Sequence, residues 1–221
     1  MSEQEKLHPT LQTALHLDGS TESVKQFYAD WAGNYDKDTL SWDYAAPANA
    51  AALLGEVKKT QGASFDGADK NINILDAGCG TGLLGLVLNQ QGYTRIDGFD
   101  LSDDMVDIAK QRNIYRNLDG NVNINHPVKN ERKGKYDCTV SIGVFTPGHV
   151  PPESLERLVE MTRPGGIVIV STRVAYYESE NYQDIADTLE TAGKIRLINS
   201  RLNTAYTTDE KAHYWVYLVT V

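Results

Sequence analysis

The residues whose types and spacing could do chemistry are concentrated in Ile74-Leu75-Asp76-Ala77-Gly78-Cys79-Gly80-Thr81-Gly82, together with Asp100, which closes the next apolar stretch. Glycines at 78, 80 and 82 allow a sharp turn and let the backbone approach a ligand with no Cβ in the way. The helical pattern behind them, Leu83 to Gln91, brings the unpaired N–H groups of a helix start to the same place. Such a loop cradles a polar ligand, and two ligand classes compete for it. A dinucleotide fingerprint requires a further glycine three places after Gly80, where Leu83 stands. Asp76 at the strand end would also repel a pyrophosphate. The nicotinamide oxidoreductase reading therefore fails at its spacing, and a ligand with a positively charged part explains Asp76 better.

The elements that must position these residues can be read along the chain. Thr10 to Leu17 is a short helix, and Ser20 caps a second that runs from Thr21 towards Asp36. Val24, Phe27, Tyr28, Trp31 and Tyr35 share one face of it by their three- and four-residue spacing. Ala45 to Lys58 is a third helix, and Gly62 to Lys70 a surface loop. From Asn71 strands and helices alternate. The strands are Ile72 to Asp76, Arg95 to Phe99, a weak third at Val122 to Asn125, Tyr136 to Val144 and Gly166 to Thr172. Helices follow at Leu83, at Ser102 to about Arg112, at Glu153 to Thr162 and at Tyr182 to Ala192. Lys194 to Tyr206 and His213 to Val221, joined by the polar turn Thr207 to Lys211, form a terminal antiparallel hairpin. This α/β alternation predicts an open, mostly parallel sheet with helices on both faces and a ligand site beyond the carboxyl ends of its strands.

With 221 residues the chain suits one compact domain. Residues 1–60 are expected to form a helical N-terminal lid and the first core helix, and residues 71–221 the ligand-binding core. Thirty acidic against 21 basic residues give a formal charge of -9, whose field repels the phosphate backbone of a nucleic acid. Cys79 and Cys138 are too few for a disulfide framework, and Cys138, on a buried strand, reads as a small hydrophobe. His8, His16, His126 and His213 are scattered, so no metal site is expected. Met1 to Lys6 is polar, and nowhere do about 18 consecutive apolar residues occur. These features predict a cytoplasmic protein with no membrane partner; its oligomeric state is not legible.

The ammonium and sulfonium of S-adenosylmethionine supply the positive charge that Asp76 calls for. Residues 74–82 resemble motif one of class I S-adenosylmethionine-dependent methyltransferases, and the later pieces keep that family's order. They are the strand-end acid in Gly98-Phe99-Asp100-Leu101-Ser102, the fourth strand Tyr136-Asp137-Cys138, and Arg163-Pro164-Gly165-Gly166 before the fifth strand. The likeness covers about residues 71–173. Trp31 to Asp36 with Tyr44 and Pro47, and Gly143-Val144-Phe145-Thr146-Pro147-Gly148-His149-Val150, are similar more narrowly to the small methyltransferase-like proteins grouped with the Williams-Beuren syndrome region protein. The resemblance implies the Rossmann-like class I methyltransferase fold with a seven-stranded sheet, and S-adenosyl-L-methionine as cofactor. It places Gly78, Cys79 and Gly80 against the methionine part, with Asp76 supporting loop and ammonium. Asp100 would accept from both ribose hydroxyls, each carboxylate oxygen having spare lone pairs. Leu101 and Met105 would border the adenine, and Tyr35 and Ile142 would complete the contacts. Where relatives carry an acid that accepts from the adenine amino group, the register counted back from Pro127 puts Asn123, whose amide oxygen can still accept.

Methyl transfer is an in-line displacement at an activated carbon, so the protein has mainly to align donor and acceptor. A base is needed only for an acceptor that arrives protonated. His149 is the candidate, because it follows the fourth strand on the ligand side and imidazole titrates near neutrality. Its other reading is a loop histidine bonded to backbone or gating access. Arg173, after the fifth strand, could hold a carboxylate or phosphate of the acceptor, or pair with a protein acid. Tyr176, Tyr177, Tyr206 and Trp215 are expected to line an apolar pocket with the N-terminal aromatics, with Tyr177 touching substrate. That suits a small organic molecule as acceptor. The alternative to catalysis is a catalytically silent S-adenosylmethionine-binding sensor or interaction protein.

Overall fold

The computed structural model describes residues 8–221; the stretch Met1–Lys6 lies outside the described residues. Three helices come first, α1 (Pro9–Leu15), α2 (Thr21–Ser41) and α3 (Ala46–Glu56). Ser20 caps α2 as its type suggests, its hydroxyl accepting from the Ser23 amide at 3.2 Å. The helix then runs beyond Asp36, carried by ring contacts one turn apart, among them Trp31 with Tyr35 at 4.6 Å between centroids.

The core follows as β1 (Ile74–Ala77), α4 (Leu83–Gln90), β2 (Ile96–Phe99), α5 (Asp103–Gln111), β3 (Asn117–Asp119), β4 (Tyr136–Phe145), α6 (Ser154–Met161) and β5 (Thr162–Arg173). It ends with α7 (Val174–Ser179), α8 (Tyr182–Thr191), β6 (Ile195–Ala205) and β7 (Lys211–Val219). The seven strands lie in the order β3-β2-β1-β4-β5-β7-β6. All neighbours through β5 are parallel, and β7 runs antiparallel to both β5 and β6, which is the expected hairpin. The order reverses between β1 and β4, so the crevice of an open α/β sheet falls beyond the end of β1, where the glycine loop begins. No described helix is long and apolar enough to cross a membrane.

Two expectations need correction. The third strand is Asn117–Asp119, paired with β2 through Asp97↔Asn117 and Phe99↔Asp119. Val122 to Asn125 is instead the loop beyond it, because Asn121 takes a left-handed backbone (φ 54) that ends the ladder. β3 is an edge strand with one neighbour, so it needs no apolar run, and the run that looked like a strand walls the crevice instead.

The second correction concerns the C-terminal aromatics. Side chains alternate along β7, so Tyr214, Val216 and Leu218 join the core layer shared with α3 and α4, while Trp215, Tyr217 and Val219 join the layer shared with α6 and α8. Tyr206 belongs to the first layer; Tyr176 and Tyr177 pack with the second. Tyr177 stacks on Trp215 at 5.4 Å and donates its hydroxyl to Gln183 at 3.0 Å. The sheet stands between these rings and Tyr206, so they do not line one pocket, and Tyr177, packed on Trp215, is not among the residues that line the cleft beyond β1.

Candidate functional site

The loop after β1 is built as its glycines demand. Gly78, Gly80 and Gly82 all have left-handed backbones, φ 79, 52 and 88. The amides of Gly78 and Cys79 both donate to the Phe99 carbonyl at 2.9 Å, fastening the loop to the end of β2. The Gly80 amide donates to Asp100 Oδ2 at 2.8 Å, and Asp100 Oδ1 accepts from the Ser102 amide at 2.9 Å. One carboxylate thus couples the loop to the start of α5. Burial raises its pKa above the ordinary carboxylate range, opposed by these backbone donors.

Beside this junction lies a cleft open to solvent. Of the residues expected at the cofactor, Tyr35, Gly78, Gly80, Asp100, Leu101, Met105, Asn123 and Ile142 line it, and so does His149. A Cβ added at Gly78 would meet Val144 Cγ2 at 2.4 Å, so the loop is packed there against β4. At Gly80 a Cβ would meet nothing within 4 Å. It would enter the cleft, so the backbone is bare at that point.

Asp76 and Cys79 lie outside the wall of the cleft. The Asp76 carboxylate accepts from the Tyr115 hydroxyl at 2.7 Å behind the loop. Burial first, then the nearby negative charge of Asp100, pushes its pKa up to about 7. Asp76 therefore stands behind the loop and is not part of the cleft wall. Cys79 contributes an amide spent on Phe99 and a buried thiol that burial holds well above its ordinary pKa, so no thiolate is offered. Asn123 reaches the cleft but is engaged: its Nδ2 donates to Thr21 Oγ1 and its Oδ1 accepts from the Asn125 amide, both at 2.9 Å.

α2 closes one side of the cleft and is tied to both rims. Lys25 donates to Asn121 at 2.7 Å, Asp36 accepts from Thr81 Oγ1 at 2.5 Å and from Arg112, and the Tyr28 hydroxyl lies 2.9 Å from His149 Nε2. His149 Nδ1 is 2.9 Å from the Pro147 carbonyl, which can only accept, so Nδ1 carries the proton and Nε2 accepts from Tyr28. Burial lowers the imidazole to about 4 and the positive charge of Arg173 adds to this, so the ring is neutral at pH 7. Tyr28, Lys25 and Val144 are cleft residues that sequence reasoning did not single out. Tyr28 stood on the aromatic face of α2, and only its meeting with a residue 121 positions away makes it part of a site.

Arg173 lies outside the cleft, its guanidinium paired with the Glu210 carboxylate and stacked over the Tyr206 ring, 5.2 Å from the centroid. Of the two fates open to it, pairing with a protein acid is the one realised.

An alternating α/β sheet with a glycine loop and a strand-end carboxylate at its switch point defines a nucleoside-ligand-binding class. Residues 48–205 match the family described as methyltransferase domain, and the chain belongs to that family. It is 30% identical over 170 residues to Methyltransferase-like protein 27 of Homo sapiens, covering 76% of this chain and 66% of that protein. It is 29% identical over 185 residues to malonyl-(acyl-carrier protein) O-methyltransferase of Serratia marcescens, covering 82% of this chain and 63% of that one. The chain thus spans 66% and 63% of the lengths of these relatives. Magnesium protoporphyrin IX methyltransferase from Synechocystis PCC 6803, solved with bound S-adenosylmethionine, superposes with a TM-score of 0.55 at 17% identity over 79% of each chain, a likeness of fold.

Proposed function

We propose that the chain is an S-adenosylmethionine-dependent methyltransferase whose acceptor is a small organic molecule. The observation that carries this is the Asp100 carboxylate, which holds the bare Gly80 backbone open at the cleft while standing at the end of β2 with lone pairs to spare for ribose hydroxyls. Gly78 and Gly80 would hold the methionine part, Asp100 the ribose, and Leu101, Met105 and Asn123 the adenine. When bound, S-adenosylmethionine supplies a methyl group already activated by its sulfonium. The chain has then to align an acceptor and keep water out, and positioning of this kind can supply roughly 7–11 kcal/mol in well-oriented intramolecular reactions. Calorimetric titration with S-adenosylhomocysteine and with NAD tests the reading: the first should bind and the second should not. Transfer of labelled methyl to a metabolite extract then separates an enzyme from a silent binder.

Two expected outcomes follow from the loop and the lid. Gly80→Val has room for its side chain only in the cleft and must take a left-handed φ. It should fold with a modestly lowered Tm and lose cofactor binding; normal S-adenosylhomocysteine affinity in the variant would remove the loop from the site. α2, held over the cleft by the contacts of Lys25, Tyr28 and Asp36, should open locally more readily than the sheet, since lids come from the less stable parts of a fold. Its amides should exchange faster without S-adenosylhomocysteine than with it. Equal protection in the two states would leave the aromatic face of α2 as ordinary core.

A further inference from the structure

We propose that Asp36 is a positioning residue of the cofactor site: through Thr81 and Arg112 it latches α2 to the glycine loop, so that cofactor affinity depends on a carboxylate outside the cleft wall. The proposal rests on the methyltransferase reading, which makes that cleft the place of S-adenosylmethionine. Asp36 Oδ1 accepts from Thr81 Oγ1 at 2.5 Å, and Oδ2 accepts from Arg112 Nη2. Arg112, the residue that caps the end of α5, also donates from Nε to the Thr81 carbonyl at 2.6 Å. The three residues close a ring of hydrogen bonds that joins α2, α5 and the loop. None of the three lines the cleft.

The ring matters because of where Thr81 stands. It lies between Gly80 and Gly82, both left-handed, and glycine has the widest backbone freedom of any residue. Thr81 is buried, and both of its polar ends are held, the hydroxyl by Asp36 and the carbonyl by Arg112. Holding Thr81 holds its neighbour Gly80, whose amide is bonded to Asp100 and whose bare backbone faces the cleft. A loop kept in one shape before its ligand arrives loses less conformational freedom on binding. The Arg112 side chain is 17% exposed, so its charge needs a partner, and Asp36 is its acidic partner among the described residues. The latch also acts on the helix. Tyr35, next to Asp36, lines the cleft, so the contact that pins the loop also sets the aromatic face of α2 over the ligand. Binding and latch are therefore linked, and whatever the latch adds to cofactor affinity the cofactor adds to the latch.

Calorimetric titration of the full chain and its variants with S-adenosylhomocysteine tests the latch. Asp36→Ala should weaken binding at least about fivefold, the lower end of ordinary coupling between separate sites. Asp36→Asn keeps an oxygen for the Thr81 hydroxyl and should recover part of that loss. Asp36→Ala combined with Arg112→Met should weaken binding by less than the product of the two single effects, since either change alone opens the ring. Asp30→Asn removes a charge from the same helix at a residue bonded to Gln26, away from the loop, and should leave the affinity unchanged. Should Asp36→Ala fail to fold, Thr81→Val carries the test from the other side: it removes only the hydroxyl and should weaken binding in the same direction. Unchanged affinity in a folded Asp36→Ala or Thr81→Val variant, losses that multiply in the double variant, or an equal loss in Asp30→Asn would each overturn the proposal. Failure of the wild-type chain to bind S-adenosylhomocysteine would overturn the methyltransferase reading and the latch with it; wild-type binding that Asp36→Ala leaves unchanged would overturn the latch alone.

Discussion

Asp100→Ala is expected to weaken S-adenosylhomocysteine binding by about 1.5–3 kcal/mol, roughly 10- to 150-fold, the range for losing hydrogen bonds to a charged acceptor. The reason lies in what the carboxylate already holds. Its two oxygens accept from the Gly80 and Ser102 amides, so the substitution removes the proposed ribose acceptor and also frees the loop proposed to hold the methionine part. The effect should therefore lie at the upper end of the range. Asp100→Asn keeps one carbonyl oxygen for these amides but turns an NH2 group towards one donor, and should fall between alanine and wild type. Circular dichroism and Tm separate a loosened loop from an unfolded chain. A folded Asp100→Ala variant with wild-type affinity would show that the ribose lies elsewhere.

How much of this was legible in the sequence depended on whether the cause was local. The glycine loop, the Ser20 and Ser102 caps and the β2 end are set by residues within a few positions of one another, and their types announced them. The third strand was misplaced because an edge strand is held by a single neighbour and its residues, Asn117 to Asp119, carry no apolar signature. Val122 and Ile124 carried that signature for another purpose, as part of the cleft wall. Tyr177 and Tyr206 are aromatic alike, and only the alternation of β7 against its neighbours reveals that they lie on opposite faces of the sheet. Sequence type marked Arg173 and His149 as chemically able. The pairing of Arg173 is set by Glu210, distant in the chain, and the low pKa of His149 by its burial and by Arg173, while the nearby Pro147 carbonyl fixes its tautomer.

His149→Ala should cost about 10²- to 10⁴-fold in turnover while leaving cofactor affinity intact, if His149 takes a proton from the acceptor. The structure changes the pH at which this should be seen. A free imidazole would lose its basic form near 6.5, but burial and Arg173 lower this one to about 4. At saturating cofactor the rate should then be flat from neutrality down to about pH 5 and fall only below that, so far as this group controls it. The same shift acts on stability, and its sign matters. The folded-state pKa lies below the unfolded one, so the unfolded chain binds the proton first and the native state loses stability as pH falls from about 6.5 towards 4. The loss sums to about 3 kcal/mol at 1.36 kcal/mol for each pKa unit. Ellipticity measured at every pH of the rate profile distinguishes protonation of a folded enzyme from the onset of unfolding. Because Nε2 already accepts the Tyr28 hydroxyl, a proton from the acceptor must either displace that hydroxyl or pass through it. Tyr28→Phe separates the two routes: it should raise turnover if the hydroxyl blocks Nε2 and lower it, with the same pH profile, if the hydroxyl relays. A His149→Ala enzyme with normal turnover and an unchanged profile would mean that the acceptor arrives with its lone pair free. His149 would then serve only to hold Tyr28, and with it α2, over the cleft.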